Sequence, residues 1–120
     1  MIQIKRVYSM PDKNDGVRLL VDRLWPRGIK KTELDFDEWI KELAPSNELR
    51  KKFGHNRDNW EEFKSEYLKE LRSPEAKIKI EELAKIARKM SLTLLFSAHD
   101  EEYNNAKVLK EVLDRKLKKH

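Results

Sequence analysis

A chain of 120 residues makes one domain with a real core and is too short for two. Charged residues make up 41% of it, well above the ~25% of ordinary globular chains, yet the apolar residues recur with regular periods, which argues against a disordered chain. There is no Cys, which excludes disulfides and thiolate chemistry, and no apolar run long enough to cross a bilayer, so no membrane partner is expected and the cytoplasm is the expected location.

In chain order, Ile2 to Tyr8 is rich in β-branched residues and reads as a first strand. Residues 9–16 are turn chemistry, with Asp15-Gly16 the strongest signal. Val17 to Leu24 reads as a second strand. The loop between them is too short for a helical crossover, which predicts an antiparallel pair. Asp35 and Glu38 have capping-box spacing, and Phe36, Trp39, Ile40 and Leu43 then fall on one helical face closed by Pro45. Ser46 is placed to cap a short helix bearing Leu49 and Phe53, ended by Gly54. Asp58 and Glu61 repeat the cap spacing ahead of Trp60, Phe63, Tyr67 and Leu71. Ser73-Pro74 opens another helix, with Ile80, Leu83, Ala84 and Ala87 on its inner face. Leu92 to Ala98 is a short, nearly unbroken apolar run, the mark of a central strand buried on both faces. Asp100 then has the position of an N-cap for a last helix, whose basic end carries Lys116, Lys118 and Lys119. The predicted architecture is α/β: one domain over residues 1–120, with a small, mostly parallel or mixed sheet of about three strands flanked by about five helices.

Charge points to one part of this chain. The net charge is +5. Residues 1–31 hold eight Lys/Arg against three Asp, and residues 32–120 hold nineteen of each sign, so the whole excess lies in the N-terminal quarter. Within it, Arg18, Arg23 and Arg27 stand in a stretch with no Lys, although the chain has 18 Lys and 9 Arg. Arg grips phosphate or carboxylate with a planar fork that Lys lacks. Trp25 is held extended by Pro26, and Gly28 permits a positive φ. The competing reading makes Trp25 core and pairs the arginines with nearby carboxylates.

In open α/β sheets ligands gather beyond the carboxyl ends of strands, which here are residues 22–28 and residues 97–100. The long connection between them, residues 32–91, allows their strands to run parallel and share a rim. Candidate anion-binding residues are Arg23, Trp25, Arg27, Gly28, Ser46, Arg50, His99 and Asn104, with Trp25 able to stack on a ring. Candidate acid–base residues are Asp22, His55 and Asp100. There is no metal signature, no nucleophile elbow and no Gly-rich phosphate loop, so the cofactor is unknown.

Asp22-Arg23-Leu24-Trp25-Pro26-Arg27-Gly28, Ala44-Pro45-Ser46 with Leu49-Arg50 and Phe53, Trp60 with Phe63, Tyr67 and Glu70-Leu71, and Thr93 to Asp100 followed by Asn104-Asn105-Ala106 together resemble the YeaO-like family, within domain of unknown function 488. The resemblance covers nearly the whole chain. It implies a compact α/β domain and supplies no reaction, catalytic residue or cofactor. The chain departs from that family's pattern at His99, where Lys is common, and at Phe96, where Tyr is. Three functions remain open: an enzyme or sensor for a small anionic molecule; a nucleic-acid-binding module, suggested by the basic N-terminal quarter and a pI near 9.4; and a non-catalytic protein-interaction domain. The sequence is silent on oligomeric state.

Overall fold

The computed structural model describes residues 1–118; Lys119, expected at the basic end of the last helix, and His120 lie outside them. Four strands, β1 (Ile2–Arg6), β2 (Val17–Leu20), β3 (Glu38–Trp39) and β4 (Leu92–Phe96), form one sheet in the order β1-β4-β2-β3. Every pairing is parallel. Four α-helices follow in sequence: α1 (Asn47–Phe53), α2 (Trp60–Glu70), α3 (Pro74–Ala87) and α4 (Asn105–Lys118). No helix among the described residues is long and apolar enough to cross a membrane.

β4 is the central strand that its apolar run predicts. It lies between β1 and β2, and all five of its residues are buried. Strand alternation sorts the sheet into two faces. Ile2, Leu19, Leu92, Leu94 and Phe96 join one large core with residues of all four helices. On the opposite face, Leu20, Leu95 and Val7 are covered by Trp25, Ile29, Leu34 and Phe36 from the connection between β2 and β3, and by Trp39 of β3 itself. An aromatic-rich loop thus takes the place of a second helical layer.

Two expectations are overturned. The first two strands are not an antiparallel pair: both run parallel to β4, one on each side of it. The chain after β1 returns to the start of β2 as a short strap over the second face, with a 3-10 turn at Lys13–Asp15 and no α-helix. Asp15 anchors that strap. Its carboxylate accepts from Lys5 Nζ at 3.1 Å, from Gln3 Nε2 at 3.2 Å and from Arg18, while Thr93 Oγ1 donates to the Asp15 carbonyl at 2.7 Å. Arg18, grouped by sequence with the candidate anion-binding arginines, is therefore a buried structural cation.

The helix expected over residues 35–44 is also absent. In its place, Glu38 and Trp39 pair with Leu19 and Leu20 as the edge strand β3, followed by a 3-10 turn at Lys41–Leu43. β2 has an unpaired edge to satisfy. Ile40 N–H donates to Leu20 O at 2.8 Å, Asp37 N–H to Arg18 O at 2.7 Å, and Arg18 N–H to the Asp37 carboxylate at 2.8 Å. Sheet completion outweighs a short amphipathic pattern. This one segment accounts for both count differences, four strands for three and four helices for five.

The remaining helix boundaries follow their caps. Ser46 Oγ accepts from Leu49 N–H, and Gly54 closes α1 in the left-handed conformation. Ser73 caps α3, with Pro74 in its first turn. Asp58 does not cap α2; Asn56 caps a preceding 3-10 turn at Arg57–Asn59 instead. α2 and the Lys41–Leu43 turn are joined by Tyr67, fully buried, whose hydroxyl donates to Leu43 O. Burial pushes the Tyr67 phenol far up, so it stays protonated as a donor. Tyr67→Phe leaves that carbonyl unpaired and is expected to cost about 1–2 kcal/mol by urea unfolding.

Candidate functional site

Because β1, β2 and β4 run parallel, the residues after each of them meet on one rim. They surround a cleft of about 620 Å³, within the usual ~300–1,000 Å³ of small-molecule sites. Tyr8 comes from the end of β1, residues 22–27 from the end of β2 and residues 97–100 from the end of β4. Arg50, Phe53 and Phe63 form the α1–α2 side, with Pro45 and His55 beside them, and Asn104 and Asn105 bring in the start of α4.

Nine of the eleven sequence-predicted site residues line this cleft: Asp22, Arg23, Trp25, Arg27, Arg50, His55, His99, Asp100 and Asn104. The other two are elsewhere. Gly28 makes its turn with φ +78 outside the cleft lining. Ser46 caps α1, and its hydroxyl and backbone N–H both donate to the Glu70 carboxylate, at 2.7 and 2.9 Å.

The arginines divide into held and unpaired groups. Arg23 donates from Nε to Pro45 O at 3.2 Å and from Nη2 to Ala44 O at 3.1 Å. That fixes one edge of its guanidinium against carbonyls. Arg50 donates from Nη2 to Asn47 Oδ1 at 3.3 Å, and its Nε is buried with no hydrogen-bond partner among the described residues. Arg27 is exposed. Among the described residues none of the three has a carboxylate within salt-bridge distance, although nine such pairs form elsewhere. The competing reading, in which the arginines of residues 18–27 pair with neighbouring acids, holds for Arg18, which pairs with Asp15, and not for Arg23 or Arg27. Its other half holds: Trp25 packs edge-on against Phe36 and Trp39 and donates from Nε1 to Ile29 O at 2.6 Å, so its ring is committed to the second core.

The acids are occupied. Asp22 accepts from Ser97 N–H at 2.9 Å and Ser97 Oγ at 2.8 Å on one oxygen, and from Asn105 Nδ2 at 3.2 Å on the other. It ties the ends of β2 and β4 to the start of α4. Burial pushes its carboxyl up, against the opposing pull of the Ser97 and Asn105 hydrogen bonds and the His55 charge. Asp100 accepts from the N–H groups of Glu102 and Tyr103 at 3.0 Å and pairs with Arg57 at 2.9 Å. The Tyr103 and Glu102 N–H groups, with Arg57, hold its carboxyl below the usual range, so it stays ionised at neutral pH. Asp100 is not the cap of α4. Asn104 is: its Oδ1 accepts from Lys107 N–H at 2.9 Å, and its Nδ2 donates to Asp100 O at 2.9 Å. Asn104 lines the cleft with both polar atoms engaged.

His55 has φ +56, the single non-glycine positive φ among the described residues; following Gly54 at φ +54, it turns the chain past the end of α1. His99 is exposed, its Nδ1 3.5 Å from Arg6 Nη2. Ser97 has no histidine hydrogen-bonded to it, and no group of three His, Asp or Glu suited to a metal occurs, both among the described residues. Guanidinium forks such as those of Arg23, Arg27 and Arg50 are groups that can grip the oxygens of a phosphate or carboxylate.

Tyr8, Arg57 and Asn105 were missed from sequence. With β1 read as antiparallel, Tyr8 falls at the wrong end of the sheet, although the strand-end rule applied to a parallel β1 marks it directly. Arg57 sits in a turn without a distinguishing pattern. Asn105 reads as an ordinary first-turn residue.

Comparison with known proteins places this geometry in a family. A family model described as "Inactive DUF488-N3 subclade" matches residues 1–120. The chain is 52% identical to "Uncharacterized protein YeaO" of Escherichia coli (strain K12) over 112 residues, which is 93% of this chain and 96% of that one. It is 35% identical over 113 residues to "Uncharacterized protein Rv3073c" of Mycobacterium tuberculosis (strain ATCC 25618 / H37Rv), and equally to "Uncharacterized protein Mb3100c" of Mycobacterium bovis (strain ATCC BAA-935 / AF2122/97), covering 94% of this chain and 93% of each relative. No solved structure matches. The chain belongs to the YeaO-like proteins of domain of unknown function 488, in the subclade described as inactive.

Proposed function

We propose that the strand-end cleft binds a small anion bearing phosphate or carboxylate, without chemical turnover. The observation that carries this reading is the set of three arginines, Arg23, Arg27 and Arg50, around one 620 Å³ hollow with no carboxylate partner among the described residues. Arg50 makes one side-chain hydrogen bond, to Asn47, and its buried Nε has no partner among the described residues, so its guanidinium is only weakly committed to the protein. The occupied state of Asp22 and Asp100, and the family's description as inactive, support binding rather than catalysis.

The test is a thermal-shift screen of phosphate- and carboxylate-bearing metabolites, followed by calorimetry on the hits. The expected result is stabilisation by a subset of anions, weakened about tenfold or more by Arg27→Ala or Arg50→Ala, in line with the ~1.5–3 kcal/mol of a charge-assisted hydrogen bond. The exposed Lys89→Ala serves as a charge control and is expected to change nothing. Hits whose affinity ignores both arginine variants would defeat the reading. Short DNA or RNA bound with a steep salt slope, and no small-anion hit, would replace it with a nucleic-acid role, which the basic N-terminal quarter favours.

A further inference from the structure

We infer that the ligand of this cleft is a phosphate joined to a planar ring, a nucleoside monophosphate in class, with its ring stacked on Tyr8 and its phosphate at Arg23 and Arg50. The inference rests on the anion-binding reading above and adds the identity of the ligand's other half.

Tyr8 is a half-exposed aromatic ring, 48% accessible, on the cleft lining. A surface tyrosine with no task is free to turn, and this one is held at three points. Its hydroxyl donates to Arg27 O at 2.9 Å. The Arg6 guanidinium sits 4.8 Å from the ring centroid and covers one face. Arg6 is itself fixed, donating to Ala98 O at 2.8 Å and Ser97 O at 3.0 Å. The preceding residue is tied to the sheet by Val7 N–H to Phe96 O at 2.8 Å. Among the described residues no aromatic ring packs on Tyr8 and Arg6 is the cation placed over it, which leaves the other face as the one for a ligand to stack on. A ring fixed in one pose before binding loses little freedom when another ring stacks on it, and stacking accepts any base because every base has a π-face.

The topology sets the distance between the two halves. Tyr8 follows β1 and Arg23 follows β2, with β4 between them. Two strand spacings of ~4.8 Å separate those ends by about 10 Å. That is a spacing of strand ends, and a ligand that touches residues from both is larger than inorganic phosphate, as a phosphate carried on a sugar with an attached ring is. The volume agrees, since a bare phosphate leaves most of 620 Å³ empty. Phe53 and Phe63, stacked at 4.4 Å between centroids, give the cleft an apolar wall against which the sugar and ring lose water. Trp25, the ring picked out by the sequence, cannot serve, because Phe36 and Trp39 pack against it.

The experiment compares adenosine 5′-monophosphate, ribose 5-phosphate and inorganic phosphate by calorimetry on the intact protein and on Tyr8→Ala and Tyr8→Phe, with circular dichroism confirming the fold of each. The expected result is that the nucleotide binds about tenfold or more tighter than ribose 5-phosphate, that Tyr8→Ala removes that advantage, and that Tyr8→Phe keeps most of it. Ribose 5-phosphate is expected to ignore both variants. Equal loss in Tyr8→Ala and Tyr8→Phe would show that the hydroxyl strap to Arg27, not the ring, matters, and would overturn the inference. Equal affinity for nucleotide and ribose 5-phosphate, with both still weakened by Arg50→Ala, would overturn it while leaving anion binding in place. No binding of any of the three would also overturn it, and the broader screen would then decide the anion reading separately.

Discussion

Replacing Asp15 with Ala is expected to destabilise the protein by about 4 kcal/mol, because it leaves two cations on a covered sheet face without their counter-charge. Arg18 is 4% exposed and Asp15 2%. The Asp15 carboxylate also holds Gln3, Lys5 and the Asp12 N–H, so one side chain fastens the β1–β2 strap to β1 and β2, while the Asp15 carbonyl meets Thr93 of β4. With small domains holding only about 5–15 kcal/mol, the urea midpoint is expected to fall by a large fraction. Asp15→Asn separates charge from shape. Burial alone would raise the Asp15 carboxyl, but the hydrogen bonds from Asp12 N–H, Lys5 and Arg18 outweigh it and hold the carboxyl below its ordinary value. The stabilisation is therefore complete above the unfolded-state pKa of ~3.9 and is lost as pH falls through the lower folded value. Wild type is expected to converge on Asp15→Asn only in that acid range. Convergence already near pH 6 would contradict the ion-pair account.

Gly16→Ala is expected to cost about 4 kcal/mol, by two mechanisms that add. Gly16 has φ +66, where an L side chain is strained by roughly 1–2 kcal/mol. A Cβ there would also lie 2.1 Å from Ser91 O and 2.7 Å from Ser91 C, backbone atoms that cannot swing aside. The same Ser91 O accepts from Val17 N–H at 2.9 Å, so any retreat loosens the pairing of β2 with β4. Overpacking of this kind adds about 1–3 kcal/mol. Gly28→Ala is the control: its φ is +78, but nothing lies within 4 Å of the added carbon, so only the strain of about 1–2 kcal/mol is expected. Equal losses at the two glycines, measured by urea unfolding, would show that the contact with Ser91 carries no weight.

These two residues also explain where the sequence was readable and where it was not. Asp15-Gly16 reads as a turn, and a turn it is. Its long-range meaning is hidden, because nothing local says that Asp15 will meet Lys5 and Arg18 or that Gly16 will touch Ser91. The direction of β1 is hidden with it, since the short strap that here takes the place of a crossover helix is held down by that buried contact. β3 was lost for a related reason. Phe36, Trp39, Ile40 and Leu43 have true helical spacing, but the open edge of β2 offers Ile40 and Asp37 better backbone partners. Elements set by their own caps and periods, such as α1 from Ser46 to Gly54 and α3 from Ser73-Pro74, are legible in the sequence, as is the uniformly apolar β4, which ends at Phe96, two residues before the expected Ala98. Arg23 and Arg27 stand out by residue type and strand-end position, Arg50 and His55 by residue type at the two ends of the Ser46–Gly54 helix segment, and all four do share a cleft. Asn104 shares it too, yet its amide serves α4, a distinction that only geometry makes.

The most direct measurement of the cleft's role is an NMR titration that follows the arginine Nε–H signals as phosphate and, separately, acetate are added. Arg50 lines the hollow, and its Nε–H, without a partner among the described residues, reports on changes at that guanidinium. If the cleft binds anions, the Arg50 Nε–H signal shifts and its exchange with water slows for at least one of the two, together with backbone signals of residues 22–27 and 97–100. Saturable shifts confined to other surfaces, with Arg50 Nε–H unmoved by either anion, would contradict it.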